Sequence, residues 1–151
     1  MNELEVFITL FLSSFISSTI LPGHSEITLT TFIFINKYNI INLIFIASLG
    51  NILGSILNWY LGFHFVKFKE KKWFPINKRQ LEKASSWFLN YGKWSLFLSW
   101  VPFVGDPLTV VAGLLRVPII TFLIIVSISK ILRYRINQSV IKYILLNLYI
   151  I

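Results

Sequence analysis

Two carboxylates stand at places where an apolar chain rarely keeps a charge. Asp106 lies inside Trp100-Val101-Pro102-Phe103-Val104-Gly105-Asp106-Pro107-Leu108-Thr109-Val110-Val111-Ala112-Gly113, and Glu26 closes Pro22-Gly23-His24-Ser25-Glu26. In both, the acid falls four residues after the proline that ends an apolar run. Pro102 and Pro107 cannot continue a regular helical ladder, and Gly105 accepts backbone angles that other residues avoid. At membrane depth such a break is tolerated only where protein or a water-filled cavity satisfies the freed backbone groups. An ionisable side chain there is costly and faces a pathway or a partner, which suits Asp106 and Glu26 to proton or cation exchange. Asp106 followed by Pro107 also reads structurally, as an N-cap with proline at the first helical position, and the two roles can coexist. Glu26 is likewise a favourable charge at the start of a helical arm.

Other chemistry is sparser. Asn51 and Asn58 are seven residues apart on one helical face, where they either bond neighbouring backbone or meet a substrate. Arg116 is the candidate anion ligand, or else snorkels to the interface. His24 beside Ser25 lacks an orienting acid other than Glu26, two residues on, so no catalytic triad is expected. His24 and His64 are too few for a metal site, which needs three or four converging ligands. The chain has no cysteine, which removes disulfides, thiolate metal sites and cysteine nucleophiles. No cofactor is expected, and the five tryptophans read as an interfacial belt.

The elements that hold these residues are those of a membrane protein. The chain has 151 residues, 56% hydrophobic and 13% charged, with mean hydropathy +0.73. Ile40–Val66 runs 27 residues without Lys, Arg, Asp or Glu, and a bilayer core needs roughly 20 apolar helical residues. One domain fits this length. The net charge of +8 does not imply nucleic acid, because Lys67, Lys69, Lys71, Lys72, Lys78, Arg79 and Lys83 gather in one loop, as the positive-inside rule expects. The acidic start, Met1-Asn2-Glu3-Leu4-Glu5, argues against a cleavable signal peptide.

In chain order, Val6–Leu21 and Ile27–Ile35 are two short apolar arms around the Pro22-Gly23 break, ending in the polar turn Asn36-Lys37-Tyr38-Asn39. Ile40–Val66 is the long span, with Gly50, Gly54 and Gly62 at multiples of four on one slowly drifting face for helix packing. After the basic loop, Lys78–Tyr91 is an amphipathic helix with Leu81, Ala84, Trp87, Phe88 and Tyr91 along its stripe. Asn77 and Gln80 suit its start, and Gly92 its end. Its apolar face is expected on the bilayer edge, with Lys78, Arg79 and Lys83 toward headgroups. Trp94–Val104 and Pro107–Leu115 form the second pair of arms, the latter carrying Ala112 and Gly113. Val117–Tyr134 is the last span, with Lys130 and Arg133 near its end able to snorkel. The expected fold is therefore all-α: two inverted repeats, 6–66 and 93–134, each a broken, re-entrant hairpin followed by a transmembrane helix. The segment 67–92 joins them in a single 1–134 membrane domain, and 135–151 is a tail that could lie along the membrane surface.

Leu21-Pro22-Gly23-His24-Ser25-Glu26, Gly50-Asn51-Ile52-Leu53-Gly54 through Tyr60-Leu61-Gly62, and Trp100 to Gly113 together resemble the DedA family, also called SNARE-associated or VTT-domain proteins. The likeness is greatest to its small YqaA-type branch, with its Trp-x-Pro-x-x-Gly-Asp-Pro-x-Thr-x-x-Ala-Gly segment, and it covers about residues 5–134. The resemblance implies a multi-pass protein of the bacterial inner membrane with two re-entrant helices. It also implies lipid handling: relatives translocate polyprenyl-phosphate carriers or phospholipids, some using the proton gradient. This sequence departs at the family's Arg-Phe-x-Pro-x-x-Arg motif, whose arginine positions are Ser99 and Gly105 here. The family's acid before the first proline also has no counterpart, Ser17 and Ser18 occupying that region.

Three functions are compatible with these residues. The first is a lipid or lipid-phosphate transporter, flippase or scramblase-like, with membrane lipids and protons as partners. The others are a structural, envelope-maintaining membrane protein and, less well supported by side chains, an intramembrane enzyme; enzyme chemistry is not expected. The basic loop also sets orientation: cysteines placed at Lys83 or Ser85 should be labelled by an impermeant maleimide from the cytoplasmic side. Labelling only from outside would reverse it.

Overall fold

The computed structural model describes residues 2–19, 24–35, 38–65, 78–101 and 104–149, without the side chains of residues 24, 65 and 140–149. Pro22, Gly23, Pro102, the 67–77 loop with Asn77, and residues 36 and 37 lie outside the described residues, as does the His24 side chain. The described chain is helical throughout: α1 Glu3–Ser17, α2 His24–Phe34, α3 Ile40–Phe65, α4 Lys78–Tyr91, a 3₁₀ segment Gly92–Trp100, α5 Gly105–Leu114 and α6 Ile119–Tyr149.

Element lengths follow from where the apolar runs are interrupted. α3 has 26 residues, about 39 Å at the helical rise, and so spans a hydrocarbon core of about 30 Å with margin. α2 and α5, with 11 and 10 residues, reach only about half that thickness. α6 has 31 residues and runs unbroken past position 134 to Tyr149, so the part read from sequence as a surface tail is a continuation of the last helix. No proline or glycine interrupts that stretch.

Large apolar side chains face outward at every fourth position. Leu4, Ile8, Leu12 and Ile16 do so on α1, Phe45, Leu49, Leu53 and Leu57 on α3, and Ile120, Ile124, Ile128 and Leu132 on α6. Stripes of this extent on three helices are incompatible with water and natural against lipid tails.

α3 is the hub, packing on α1, α2, α5 and α6. Its glycines allow that, but not on one face as their spacing suggested. A Cβ at Gly50 would stand 2.5 Å from the Phe11 carbonyl oxygen and one at Gly54 2.7 Å from Ser18 Cβ, so both admit α1. Gly62 admits α5 instead, against the Val110 carbonyl, and Gly113 on α5 returns the contact against the Trp59 carbonyl. Twelve residues at 3.6 per turn rotate by about 120°, enough to hand the strip to a different neighbour. Ala112 is fully buried beside Gly113.

The second correction concerns α4. Leu81, Ala84 and Phe88 are buried in a cluster with Leu108, Val111 and Phe122, so most of the stripe covers α5 and the 3₁₀ segment and not the bilayer edge. Trp87 is half-buried against the same cluster, and Tyr91 is exposed. Gly92 follows with φ +58, the left-handed turn expected at a helix end.

Gly113→Ala and Gly62→Ala force a methyl group into facing backbone. Each should destabilise by about 1–3 kcal/mol, read as a lowered melting midpoint in detergent. Gly92→Ala meets no atom within 4 Å and should cost only the left-handed penalty, about 1 kcal/mol.

Candidate functional site

The polar residues converge on one stripe of α6. Lys130, Arg133, Tyr134 and Asn137 fall at i, i+3, i+4 and i+7, a single helical face turned toward α1, α2, α3 and α5. If α6 enters the hydrocarbon at Ile119, Lys130 lies about 16 Å deep, near the midplane, and Asn51 lies equally far from the start of α3. Their direct contact agrees with that common level.

Lys130 is 1% exposed. Its ammonium donates to Ser18 Oγ at 3.1 Å, to Asn51 Oδ1, and to Asp106 Oδ1 at 3.5 Å. Four elements thus share one charge: the end of α1, the middle of α3, the start of α5 and the centre of α6. Ser18 Oγ also lies 3.4 Å from Asp106 Oδ1 and 3.1 Å from Ser55 Oγ, while the Ser18 carbonyl accepts from Asn58 Nδ2 at 2.8 Å. Asn51 Nδ2 donates to the Tyr134 hydroxyl at 3.0 Å, and that hydroxyl donates to Ser25 Oγ at 3.3 Å. Among the described residues, Ser99 Oγ and Asn58 Oδ1 are buried without a hydrogen-bond partner.

One turn further along α6, Arg133 meets Glu26. Its Nη2 and Nε both approach Glu26 Oε1 at 2.6 Å, and Asn137 Nδ2 donates to the same oxygen at 2.9 Å. Lys130 and Arg133 therefore do not snorkel outward as their sequence position suggested. Each turns inward because an acid in the first turn of a short helix awaits it: Asp106 on α5 and Glu26 on α2.

Asp106 is not the N-cap of α5. That position is Val104, and the helix starts at Gly105, which packs against the Ser99 carbonyl so closely that a Cβ would collide with it. The Asp106 carboxylate is directed to Lys130 and Ser18, while its own carbonyl accepts from Thr109 Oγ1 at 2.6 Å. Pro107 follows inside the first turn, where its missing N–H costs nothing. Beside this start, Arg79, Gln80, Lys83, Ala84 and Val104 line a cavity of about 260 Å³.

Of the residues singled out from sequence, Asp106, Asn51 and Asn58 meet around Ser18 and Lys130, and Glu26 lies one turn along α6 with Arg133. Arg116 does not. It is exposed, its guanidinium 5.5 Å from the Phe63 ring, and it holds φ 54 at the end of α5. The Arg116 amide donates to the Gly113 carbonyl and the Val117 amide to that of Ala112, so Arg116 fills the left-handed position of a Schellman turn usually given to glycine. Lys130, Arg133, Tyr134, Ser18, Ser25 and Ser55 were not read as site residues. The i, i+3, i+4, i+7 spacing on α6 was the signal that could have found the first three.

The VTT domain family matches residues 21–141. The inner membrane protein YqaA of Escherichia coli is 39% identical over 139 residues, covering 89% of this chain and 89% of its own. A protein of Haemophilus influenzae is 35% identical over 136 residues, 83% of this chain and 80% of its own. Undecaprenyl phosphate transporter A of Staphylococcus aureus is 26% identical over 96 residues, 58% of this chain and 47% of its own. No solved structure matches the chain. The inner-membrane location that the resemblance implied is that of YqaA. With its apolar exterior, its two inward ion pairs and this match over most of its length, the chain belongs to the VTT-domain (DedA) family of membrane proteins.

Proposed function

We propose that the protein moves an anionic lipid, a lipid phosphate or phospholipid, across the inner membrane, and that Asp106 and Lys130 exchange a proton for the substrate's charge. The observation that carries this reading is the Lys130 ammonium, buried among four helical elements and held by Asp106 at 3.5 Å, a separation longer than a tight charged hydrogen bond. An ionisable pair at such depth is expensive to keep unless it works. A proton on Asp106 leaves Lys130 as an uncompensated cation that attracts a phosphate. Loss of that proton restores the pair and releases the phosphate. Arg133 and Glu26 repeat the arrangement one turn away.

The two halves, 6–66 and 93–134, act in this reading as inverted repeats that bring α2 and α5 to the centre from opposite faces. Within a 1–134 membrane domain, the cavity beside Arg79 and Lys83 offers an anionic headgroup a basic approach to the start of α5. Undecaprenyl phosphate transporter A supports the substrate class. Lys130 then stands in for the arginines that the family motif would place at Ser99 and Gly105, where the backbone contact leaves no room for a side chain on residue 105.

The test is reconstitution into vesicles carrying fluorescent undecaprenyl phosphate or phosphatidylglycerol, with headgroup exposure followed by an impermeant quencher. The parent should move at least one of these lipids, with direction set by an imposed pH gradient. Asp106→Asn and Lys130→Gln should each abolish movement. Each should also destabilise, since breaking a buried pair costs about 3–5 kcal/mol. The double variant should regain much of the stability and none of the transport. Arg116→Gly should transport like the parent. Normal movement in Asp106→Asn, or none in the parent with either lipid, would end this proposal.

A further inference from the structure

Tyr134 is the largest fully buried side chain among the described residues, and its hydroxyl stands between the two ion pairs. Its ring clusters with Val6, Leu10, Leu29 and Leu43 from α1, α2 and α3. A phenylalanine would fill that space equally, so the hydroxyl needs its own account.

Three hydrogen bonds run from Lys130 through this hydroxyl to α2. The Lys130 ammonium donates to Asn51 Oδ1, and Asn51 Nδ2 donates to the Tyr134 hydroxyl at 3.0 Å. That hydroxyl donates in turn to Ser25 Oγ at 3.3 Å. Ser25 directly precedes Glu26, which is held by Arg133, the residue before Tyr134. The chain thus begins at one ion pair and ends beside the other.

All three bonds point the same way, and the charge on Lys130 sets that direction. An ammonium has only donors, so the Asn51 amide presents its oxygen to Lys130 and its NH2 to Tyr134. The tyrosine hydroxyl accepts from Asn51 and gives its one proton to Ser25. When Lys130 turns away to a phosphate, Asn51 Oδ1, Ser18 Oγ and Asp106 Oδ1 each lose a donor. Turning the Asn51 amide over meets both ends of that loss. Its NH2 then faces the acceptors that the ammonium left, and its oxygen takes the Tyr134 proton. Ser25 is left without its bond to α6.

We infer that Tyr134 is a positioning residue that carries the state of the Lys130–Asp106 pair to the Glu26–Arg133 pair. Departure of Lys130 reverses the chain, frees Ser25 and loosens the first turn of α2 around Glu26, so the two pairs release in one event. This rests on the transport reading above and adds to it a link between α5 in the second half of the chain and α2 in the first. The coupling element has two discrete arrangements, the two orientations of the Asn51 amide.

Hydrogen exchange of the purified full chain in detergent tests the link without any transport. The readout is the amides of 28–34, beyond the first turn of α2, whose N–H groups have intrahelical partners. Lys130→Met removes the donors and should speed their exchange about fivefold, the effect of one hydrogen bond. Tyr134→Phe keeps the ring and should give the same increase. Lys130→Met added to Tyr134→Phe should give no further increase, because the chain is already cut. A tyrosine that only fills space would leave the response to Lys130→Met intact in the Tyr134→Phe background, and that result would overturn the inference. So would unchanged exchange in Lys130→Met. Where Lys130→Met does not fold, Lys130→Met/Asp106→Asn, which leaves no unpaired charge at the site, replaces it in both backgrounds. Exchange that responds as expected, with no lipid moved in vesicles, would count against the transport reading alone. Lipid movement without the exchange response would count against this inference alone.

Discussion

An ammonium at the middle of a membrane domain has to be paid for by its neighbours, and in this protein the arrangement of helices is organised around doing so. Lys130 cannot reach water from the centre of α6, and an unpaired cation in hydrocarbon costs at least ~2.5–3.5 kcal/mol on the most permissive scale. Its ligands come from α1, α3 and α5, which are far apart in the chain. That requirement explains why α1 ends, and why α5 begins, at the same depth. A helix that ran through would present no carboxylate at its first turn and no serine at its last.

Close backbone approach is the second half of the same constraint. Ser18 reaches Lys130 because Gly54 lets the end of α1 lie directly on α3. Asp106 reaches it because Gly62 and Gly113 let α5 lie on the other side of α3, and because Gly105 sits on the Ser99 backbone. Association in lipid gains nothing from hydrophobic exclusion between helices, so packing and polar contacts must supply it. Here the glycines provide the packing, and the Lys130 and Arg133 clusters provide the polar contacts.

Much of this was legible in the sequence, for identifiable reasons. The bounds of α3 and α4 followed from an uncharged run and from a clean amphipathic period with glycine at its end. Glu26 and Asp106 stood out because charge is rare in such segments. What escaped was pairing. Lys130 was read as terminal because the last span was ended at Tyr134, and a cation near an end snorkels. Once α6 is seen to continue to Tyr149, Lys130 moves to its middle and has to turn inward. The cap half of the Asp106 reading came from the Asp-Pro pair, but α5 starts at Gly105, tight against Ser99, two residues earlier than that pair implies. Arg116 was read as an anion ligand or an interfacial cation from its place near the end of the fourth arm; it is exposed, in the turn that ends α5.

The inward turn of two cations also bears on orientation. Counted from sequence, the charges around Lys130, Arg133, Arg135 and Lys142 oppose the placement of the 67–92 loop in the cytoplasm. The positive-inside bias acts on basic residues outside the hydrocarbon, in short loops and beside the ends of spans. Lys130 and Arg133 are inside it, each matched by a carboxylate, so they carry no weight in that balance. Arg135 and Lys142 are then set against Lys67, Lys69, Lys71, Lys72, Lys78, Arg79 and Lys83. The asymmetry favours the basic loop on the cytoplasmic side, with the start of α3 and Arg135 toward the opposite leaflet. The same pairing that stabilises the centre thus halves the opposing charge signal, from four basic residues to two.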